Sequence, residues 1–456
     1  MEEKIVVGLD IGSSKVCAVV GKMNEYGRLE VLGLGQAPCS GVVRGVVTNI
    51  DRTVDAIVKA INEAETQANV NILEVNVSIS GQQIRSIRER TGFTRLSADK
   101  EITVEDVMRL NEDMRRIQPP VGNQILHVVP QDYSVDYASG IYDPVGMLGV
   151  KLEGEFHVIT APFAAIANIQ KCIEKADRLL GKRGQLKIGE RVLEPIAAGM
   201  AVLMDEEKEA GVAMVDIGGD TTDIAIFHKN IIRHTSVIPF GGNIVTRDIE
   251  EGCTIQAKYA ELLKIRFGLA LSEPASWNEV VSIPVLPGRP PKEISIKNLA
   301  YIIEARMEEI VEMIYAELSR AGYDRLTGGI VLTGGGSQLQ YLRELFELTT
   351  GMHTRIGNPN QHMGRSQNEA VKAPMYAAAV GLVMAGFRAI DERENDYLKA
   401  KPVMAAGPPQ PQQQQPPRKE REQDGNGKQG GGRFFNSIID RTRRFLSDDM
   451  DDRMEY

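Results

Sequence analysis
A chain of 456 residues, 42% of them hydrophobic, has enough apolar material for several cores, and its length alone points to about three domains. A formal net charge of −9 disfavours general nucleic-acid binding, and four cysteines (Cys17, Cys39, Cys172, Cys253) without metal-like spacing read as reduced thiols of a reducing cytosol. Residues 1–4 lead straight into a strand, so no leader is expected, and no apolar run approaches the roughly 20 residues a bilayer span needs.

The first element is an apolar strand, Ile5 to Leu9, that ends in Asp10, Gly12, Ser13, Ser14 and Lys15 before Cys17 to Val20 return as a second strand. Glycine lets the backbone approach a ligand, the hydroxyls and Lys15 suit an anion, and Asp10 would repel a bare phosphate. A magnesium ion between carboxylate and phosphate removes that repulsion. Leu29–Gly35 follows as a strand, then an amphipathic helix from Asn49 with Asp51 as expected cap and Val54, Ile57, Val58 and Ile61 as its buried stripe. Residues 74–80 alternate as a further strand.

From 84 to 160 the character changes. A helix begins near Glu101 with Thr103 as cap and Asp106 at the capping-box position, and strands are expected at Gln124–Val129 and Tyr133–Tyr137. His127 and His157 lack companions at ligand spacing and are not read as metal ligands. Residues 164–180 read as a helix, and the chain then crosses at Glu194-Pro195.

Val212 to Asp223 repeats the first hairpin: an apolar strand, then Asp216, Gly218, Gly219, Asp220, Thr221, Thr222 and Asp223. Alone, this also reads as an ordinary Gly-Asp turn of an antiparallel sheet. Two Asp-Ile-Gly hairpins about 200 residues apart argue for a duplicated domain with one phosphate loop per half. A glycine turn with Gly241 and Gly242 follows, and Glu261 and Lys264 stand one helical turn apart, a spacing that equally fits a solvated ion pair. Residues 272–297 are Pro-rich and expected to be irregular. Leu299–Ala321 is a helix with Ile302, Ile303, Met307, Ile310, Ile314 and Leu318 as its stripe. A third glycine stretch, Gly334, Gly335, Gly336 and Ser337, ends another strand and leaves bare backbone for a planar group. Neither P-loop spacing nor a complete dinucleotide fingerprint is present.

In this order the three glycine stretches resemble the two phosphate loops and the adenosine loop of the actin/Hsp70/sugar-kinase superfamily. Leu193–Ala201 and Tyr376–Leu382 resemble its two small-residue connecting helices. The wording of Ile125–Asp136, Gly140–Leu152 and Phe156–Thr160 resembles the inserted subdomain of the FtsA family of bacterial cell division proteins, with Lys151 where that family often has arginine. The resemblance implies an α/β fold, the duplicated ribonuclease H-like ATPase fold of actin with an FtsA-type insertion. It divides the chain into subdomain 1A (1–83 and 161–194), the insertion 1C (84–160), 2A (195–248 and 324–373), 2B (249–323) and a return helix (374–400).

The resemblance further implies ATP with Mg2+, held by Asp10 and Asp216 through water, with Glu261 and Lys264 on the nucleoside. Glu194 would position an attacking water, its alternative role being that of a helix N-terminal carboxylate. Hydrolysis would be slow turnover control at most. The implied partners are other copies of the chain in head-to-tail filaments, the C-terminal peptide of FtsZ on 2B, with Arg289 and Arg306 facing it, and other division proteins. A sugar kinase would need neither the insertion nor an amphipathic tail, and an Hsp70-like chaperone would need a β-rich peptide-binding domain. The insertion wording also argues against a pilus-assembly or shape-determining relative.

Residues 401–432, rich in Pro, Gln and Gly, read as a disordered linker. In 433–447, Phe434, Phe435, Ile438, Ile439, Thr442, Phe445 and Leu446 fall within an arc of about 140° on a helix. Arg441 and Arg443 flank that face, where they can snorkel toward anionic head groups. A helix separated from any core by such a linker reads as a membrane-surface anchor, with docking on a partner as the alternative; the resemblance to the FtsA family implies the inner membrane face at the septum. Residues 448–456 form an acidic end.

Overall fold
The computed structural model describes residues 4–96, 99–284, 290–364, 366 and 368–400, those in 394–400 as backbone alone. Arg289 and every residue of the expected membrane helix, Phe434 to Leu446, lie outside the described residues.

Strands β1 (Ile5–Ile11) and β2 (Lys15–Met23) pair antiparallel, and β3 (Leu29–Pro38) continues the sheet. A small hairpin, β4 (Val42–Val43) and β5 (Val46–Val47), leads into α1 (Ile50–Ala68). The cap of α1 is Asn49, whose side chain accepts from the Arg52 N–H at 3.0 Å, and not Asp51. Asp51 lies inside the first turn, where its charge favours the dipole, and pairs with Lys175 at 2.8 Å. The buried stripe contains Val54, Ile57 and Ile61 as expected, with Ala56, Ala60 and Ala64 beside them and Val58 half-buried. Strand β6 (Glu74–Ile79) runs parallel to β1.

The insertion is an antiparallel sheet of its own, ordered β7 (Arg85–Thr94), β10 (Lys151–Pro162), β8 (Asn123–Val135) and β9 (Ala138–Ile141). Helix α2 (Val104–Arg115) packs Leu110 and Met114 against Leu152, Phe156 and Val158 of that sheet. Its capping box is formed: Thr103 Oγ1 accepts from the Asp106 N–H, and Asp106 Oδ2 accepts from the Thr103 N–H. The two strands expected around Pro130 are one. Pro130 stands opposite Phe156 and Asp132 opposite Glu155, so Gln131 is an unpaired bulge that absorbs the proline without ending the strand.

Helix α3 (Phe163–Leu179) and β11 (Lys187–Leu193) complete the first half, and α4 (Glu194–Val202) crosses to the second. After the short α5 (Asp205–Ala210), strands β12 (Val212–Ile217), β13 (Thr222–His228) and β14 (Ile231–Ile238) run antiparallel. Helices α6 (Gly242–Cys253) and α7 (Ala257–Phe267) follow. In the stretch expected to be irregular, β15 (Val280–Ile283) pairs with β16 (Lys292–Ser295). Helix α8 (Ile296–Arg320) starts three residues early because Ser295 caps it, and it buries Ile303, Met307, Ile310, Ile314 and Leu318, leaving Ile302 half-buried. Strand β17 (Ile330–Thr333), α9 (Leu342–Thr350), β18 (Thr354–Ile356) and α10 (Ala377–Ala400) end the described chain.

The two main sheets are ordered β3-β2-β1-β6-β11 and β14-β13-β12-β17-β18, with the same strand senses in the same places. The chain has therefore built one topology twice. Between the sheets α4 and α10 cross so closely that a Cβ on Gly381 would lie 1.7 Å from the carbonyl oxygen of Ala197. No helix among the described residues is long and apolar enough to cross a membrane.

Candidate functional site
Each Asp-Ile-Gly hairpin ends in the same turn. The Gly12 N–H donates to the Lys15 carbonyl at 3.0 Å, and the Gly218 N–H to the Thr221 carbonyl at 2.9 Å. Asp10 stands opposite Cys17, and Asp216 opposite Asp223, so Ser13, Ser14 and Lys15 correspond to Gly219, Asp220 and Thr221. The turns meet tip to tip: a Cβ on Gly219 would lie 2.2 Å from Ser14 Oγ. One side chain bridges this meeting, Asp220 accepting from the Arg44 N–H at 3.2 Å; within its own half Asp220 also accepts from Asn243 Nδ2 at 2.8 Å, and on the first side Ser13 Oγ accepts from the Gly45 N–H at 3.4 Å.

Beneath the turns lie Asp10, Asp216 and Asp223, all buried, and the half-buried Glu194. Ser78 Oγ donates to Asp10 at 2.8 Å and Ser80 Oγ to both oxygens of Asp223 at 3.0 and 3.1 Å. Burial pushes the Asp216 carboxyl up to about 8, with the charges of Asp223 and Asp10 adding to it. The Asp223 carboxyl rises to about 7, again mainly by burial. Burial also lifts Asp10, and burial with the charge of Asp223 holds Glu194 well above the carboxylate range. Lys15 is pushed down by burial. Its ammonium donates to the Met375 carbonyl at 2.8 Å and lies 4.0 Å over the Tyr376 ring. Four acids share one lysine, so the site favours a further cation, on which the carboxyls would ionise. Among the described residues no group of three or more His, Cys, Asp or Glu side chains is arranged to hold a metal directly. A water-bridged magnesium ion, which needs only one or two carboxylates beside phosphates, fits this donor set.

At the third glycine stretch, Gly334 has φ +82°, and a Cβ there would lie 2.2 Å from Asp216 Oδ1. Gly335 faces open space, while a Cβ on Gly336 would press on Ile217. Across the opening the Gly242 N–H donates to the Gly218 carbonyl at 2.9 Å and the Asn243 N–H to the Gly219 carbonyl at 2.7 Å, so α6 starts on the second turn. The Gly242 carbonyl accepts from Lys264 Nζ at 2.9 Å, which pairs with Glu261 at 2.7 Å, and Thr246 Oγ1 bonds both. Gly241 packs against the Gly218 carbonyl.

Some expected contacts are otherwise engaged. The Thr222 hydroxyl donates to the Phe240 carbonyl at 2.8 Å, and Ser337 Oγ donates to the Gly334 carbonyl at 2.8 Å; both residues are buried, so these side chains shape loops and do not face a ligand. Arg306 grips both oxygens of Asp248, at 2.5 and 3.1 Å, and also pairs with Glu309. The structure adds Ser78, Ser80, Asn243 and Tyr376 to the site; Tyr376 opens a connecting-helix motif, and none of the four is expected from sequence as a site residue. In sequence the two serines read only as strand residues, and their period-two spacing, Ser78 in β6 and Ser80 just past its end, is their available signal.

The "Cell division protein FtsA" family model matches residues 213–381, and the "SHS2 domain inserted in FTSA" model matches 81–160. The chain is 41% identical over 386 residues to the cell division protein FtsA of Pseudomonas aeruginosa, covering 84% of this chain and 90% of that one. It is 39% identical to the FtsA of Neisseria meningitidis, with the same coverage, and 34% identical to that of Escherichia coli K12 over 393 residues, covering 84% and 91%. Among solved structures the "PilM-PilN type IV pilus biogenesis complex" matches with a TM-score of 0.57 at 18% identity, over 84% of this chain and 98% of that one, a likeness of fold alone. The duplicated sheets build an actin-like fold, and the chain belongs to the FtsA family of cell division proteins.

Proposed function
We propose that this chain binds Mg-ATP between its two halves, assembles head to tail into filaments on the cytoplasmic face of the membrane at the division septum, and anchors filaments of FtsZ there. The observation that carries the nucleotide part is the pair of equivalent turns meeting above the buried carboxyls of Asp10, Asp216 and Asp223. The magnesium ion would supply the charge that lets carboxylates and phosphates share the site. Asp10 and Asp216 hold it through water, and Ser13, Ser14, Gly219 and Asp220 form the tips that face the phosphates. Lys15 adds a positive charge from the first side only. Gly334 to Gly336 and the Glu261–Lys264 pair enclose the nucleoside, and Glu194 orients a water, so that hydrolysis, where it occurs, is slow and limits filament lifetime.

The amphipathic stretch from Phe434 to Leu446 is the proposed anchor. One short helix binds a membrane weakly, and a filament that presents many copies binds strongly. This is why nucleotide and membrane belong to one mechanism. FtsZ and other division proteins remain the proposed partners, with Arg289 and Arg306 as the proposed contacts of the FtsZ peptide.

Co-sedimentation with anionic vesicles tests the reading. The whole chain should pellet with lipid, and more so with Mg-ATP, whereas a chain ending at Met404 should stay in solution. If both stay in solution the anchor reading fails.

A further inference from the structure
Strand β8 of the insertion reaches the first half's crossing point through one side chain. His127 Nε2 accepts a hydrogen bond from the Leu193 N–H at 3.0 Å. An amide can only donate, so Nε2 is the bare nitrogen and the ring is neutral. Desolvation keeps it so, holding the imidazole down to about 4. Leu193 ends β11, the edge strand of the first sheet, and is the N-cap residue of α4, where no side chain of the helix's own caps the start. An edge strand has one row of N–H groups without a neighbouring strand, and His127 meets one of them.

The residues on either side make this contact consequential. Glu194 follows directly, and its carboxylate lies near enough to Asp223, Asp10 and Asp216 to feel their charges. Pro195 comes next, which has no N–H and narrows the backbone choices of the residue before it. Glu194 is thus held by β11 pairing with β6 behind it, by Pro195 ahead of it, and by His127 from the insertion. Four residues further along the same strand the insertion grips the other half. Gln131 Nε2 donates to the Ile232 carbonyl at 2.8 Å, and Arg233 donates to the Gln131 carbonyl and to Asp132, both at 3.2 Å.

We infer that His127 is a positioning residue for Glu194: by holding the Leu193 N–H it sets where the carboxylate stands in the cleft, and it makes strand β8 of the insertion a mechanical input to that cleft. A displacement of the insertion, by whatever engages its surface, then reaches Glu194 through one hydrogen bond. The inference rests on the Mg-ATP reading above.

The test compares the full chain with His127→Phe, which keeps a flat ring and removes the acceptor, and His127→Gln, which restores an acceptor oxygen. Hydrogen exchange across 190–200 is followed in the nucleotide-free protein, and Mg-ATP affinity and turnover are measured separately. His127→Phe should speed exchange at Leu193 and Glu194 at least about tenfold and lower turnover about tenfold, with affinity within about threefold of the parent. His127→Gln should recover both. Unchanged exchange and turnover in a His127→Phe protein that still binds Mg-ATP would overturn the positioning role while leaving the nucleotide reading intact. A parent chain that binds no Mg-ATP would overturn that reading, and the role with it.

Discussion

The first turn, Gly12 to Lys15, and the second, Gly218 to Thr221, have the same hydrogen bond, the same flanking register and opposite chemistry. The first carries an ammonium at its last position. The second carries a hydroxyl there and a carboxylate, Asp220, one position earlier. The carboxylate is engaged across the cleft with the Arg44 N–H and within its own half with Asn243. Duplication has kept a backbone shape, and each copy has then specialised. In the proposed reading one turn supplies charge to the phosphates and the other supplies the closure between halves. The two should respond differently to substitution.

The largest effect expected is on the crossing that holds both turns in place. Gly381→Leu puts a side chain where a Cβ alone would lie 1.7 Å from the Ala197 carbonyl, and it should cost about 3 kcal/mol of stability in urea unfolding. Next comes the floor of the site: Asp216→Asn should weaken magnesium-dependent ATP affinity by about tenfold to a hundredfold, read by calorimetry. Lys15→Met should weaken it by about tenfold, and Thr221→Val, at the equivalent position, by no more than about twofold. Equal losses at Lys15 and Thr221 would erase the proposed division of labour.

Protons sharpen the contrast further. Asp216 and Asp223 sit near 8 and 7 when folded, against about 4 unfolded, so the folded state binds the extra protons. Their contribution to stability is present below about pH 4 and is lost as the pH rises through 7 to 8. Stability of the nucleotide-free protein should therefore fall between pH 5 and 8, and Asp216→Asn should flatten that slope. The smallest effect on stability lies far from the turns. Arg306→Ala, which loses a partly exposed pair with Asp248, should cost about 0.5–1 kcal/mol.

What the sequence made legible is what has a local cause. Each turn announces itself by an apolar run, a carboxylate and glycine, and the capping box at Thr103 and Asp106 is written in four residues. The cap of α1 falls on Asn49 and not on the expected Asp51 because both are good caps two residues apart, and only backbone geometry chooses between them. The hydroxyls of Thr222 and Ser337 look free for a ligand in sequence, yet each satisfies a carbonyl of the fold. Contacts between distant segments left no local trace: Gln131 reaches Ile232, His127 reaches Leu193, and Ser80 reaches Asp223. A strand residue's partner across 66 to 143 positions is set by topology, and periodicity reports only its face.

The central claim is that the two unequal turns and the acids beneath them form one Mg-ATP site. Calorimetric titration of Mg-ATP into the nucleotide-free chain at pH 7, repeated in two buffers of different ionisation enthalpy and once with ATP alone, tests it most directly. The account predicts one site per chain, affinity that depends on magnesium, and release of protons from Asp216 and Asp223 as the cation arrives. No binding, or binding that needs no magnesium and moves no protons, would contradict it.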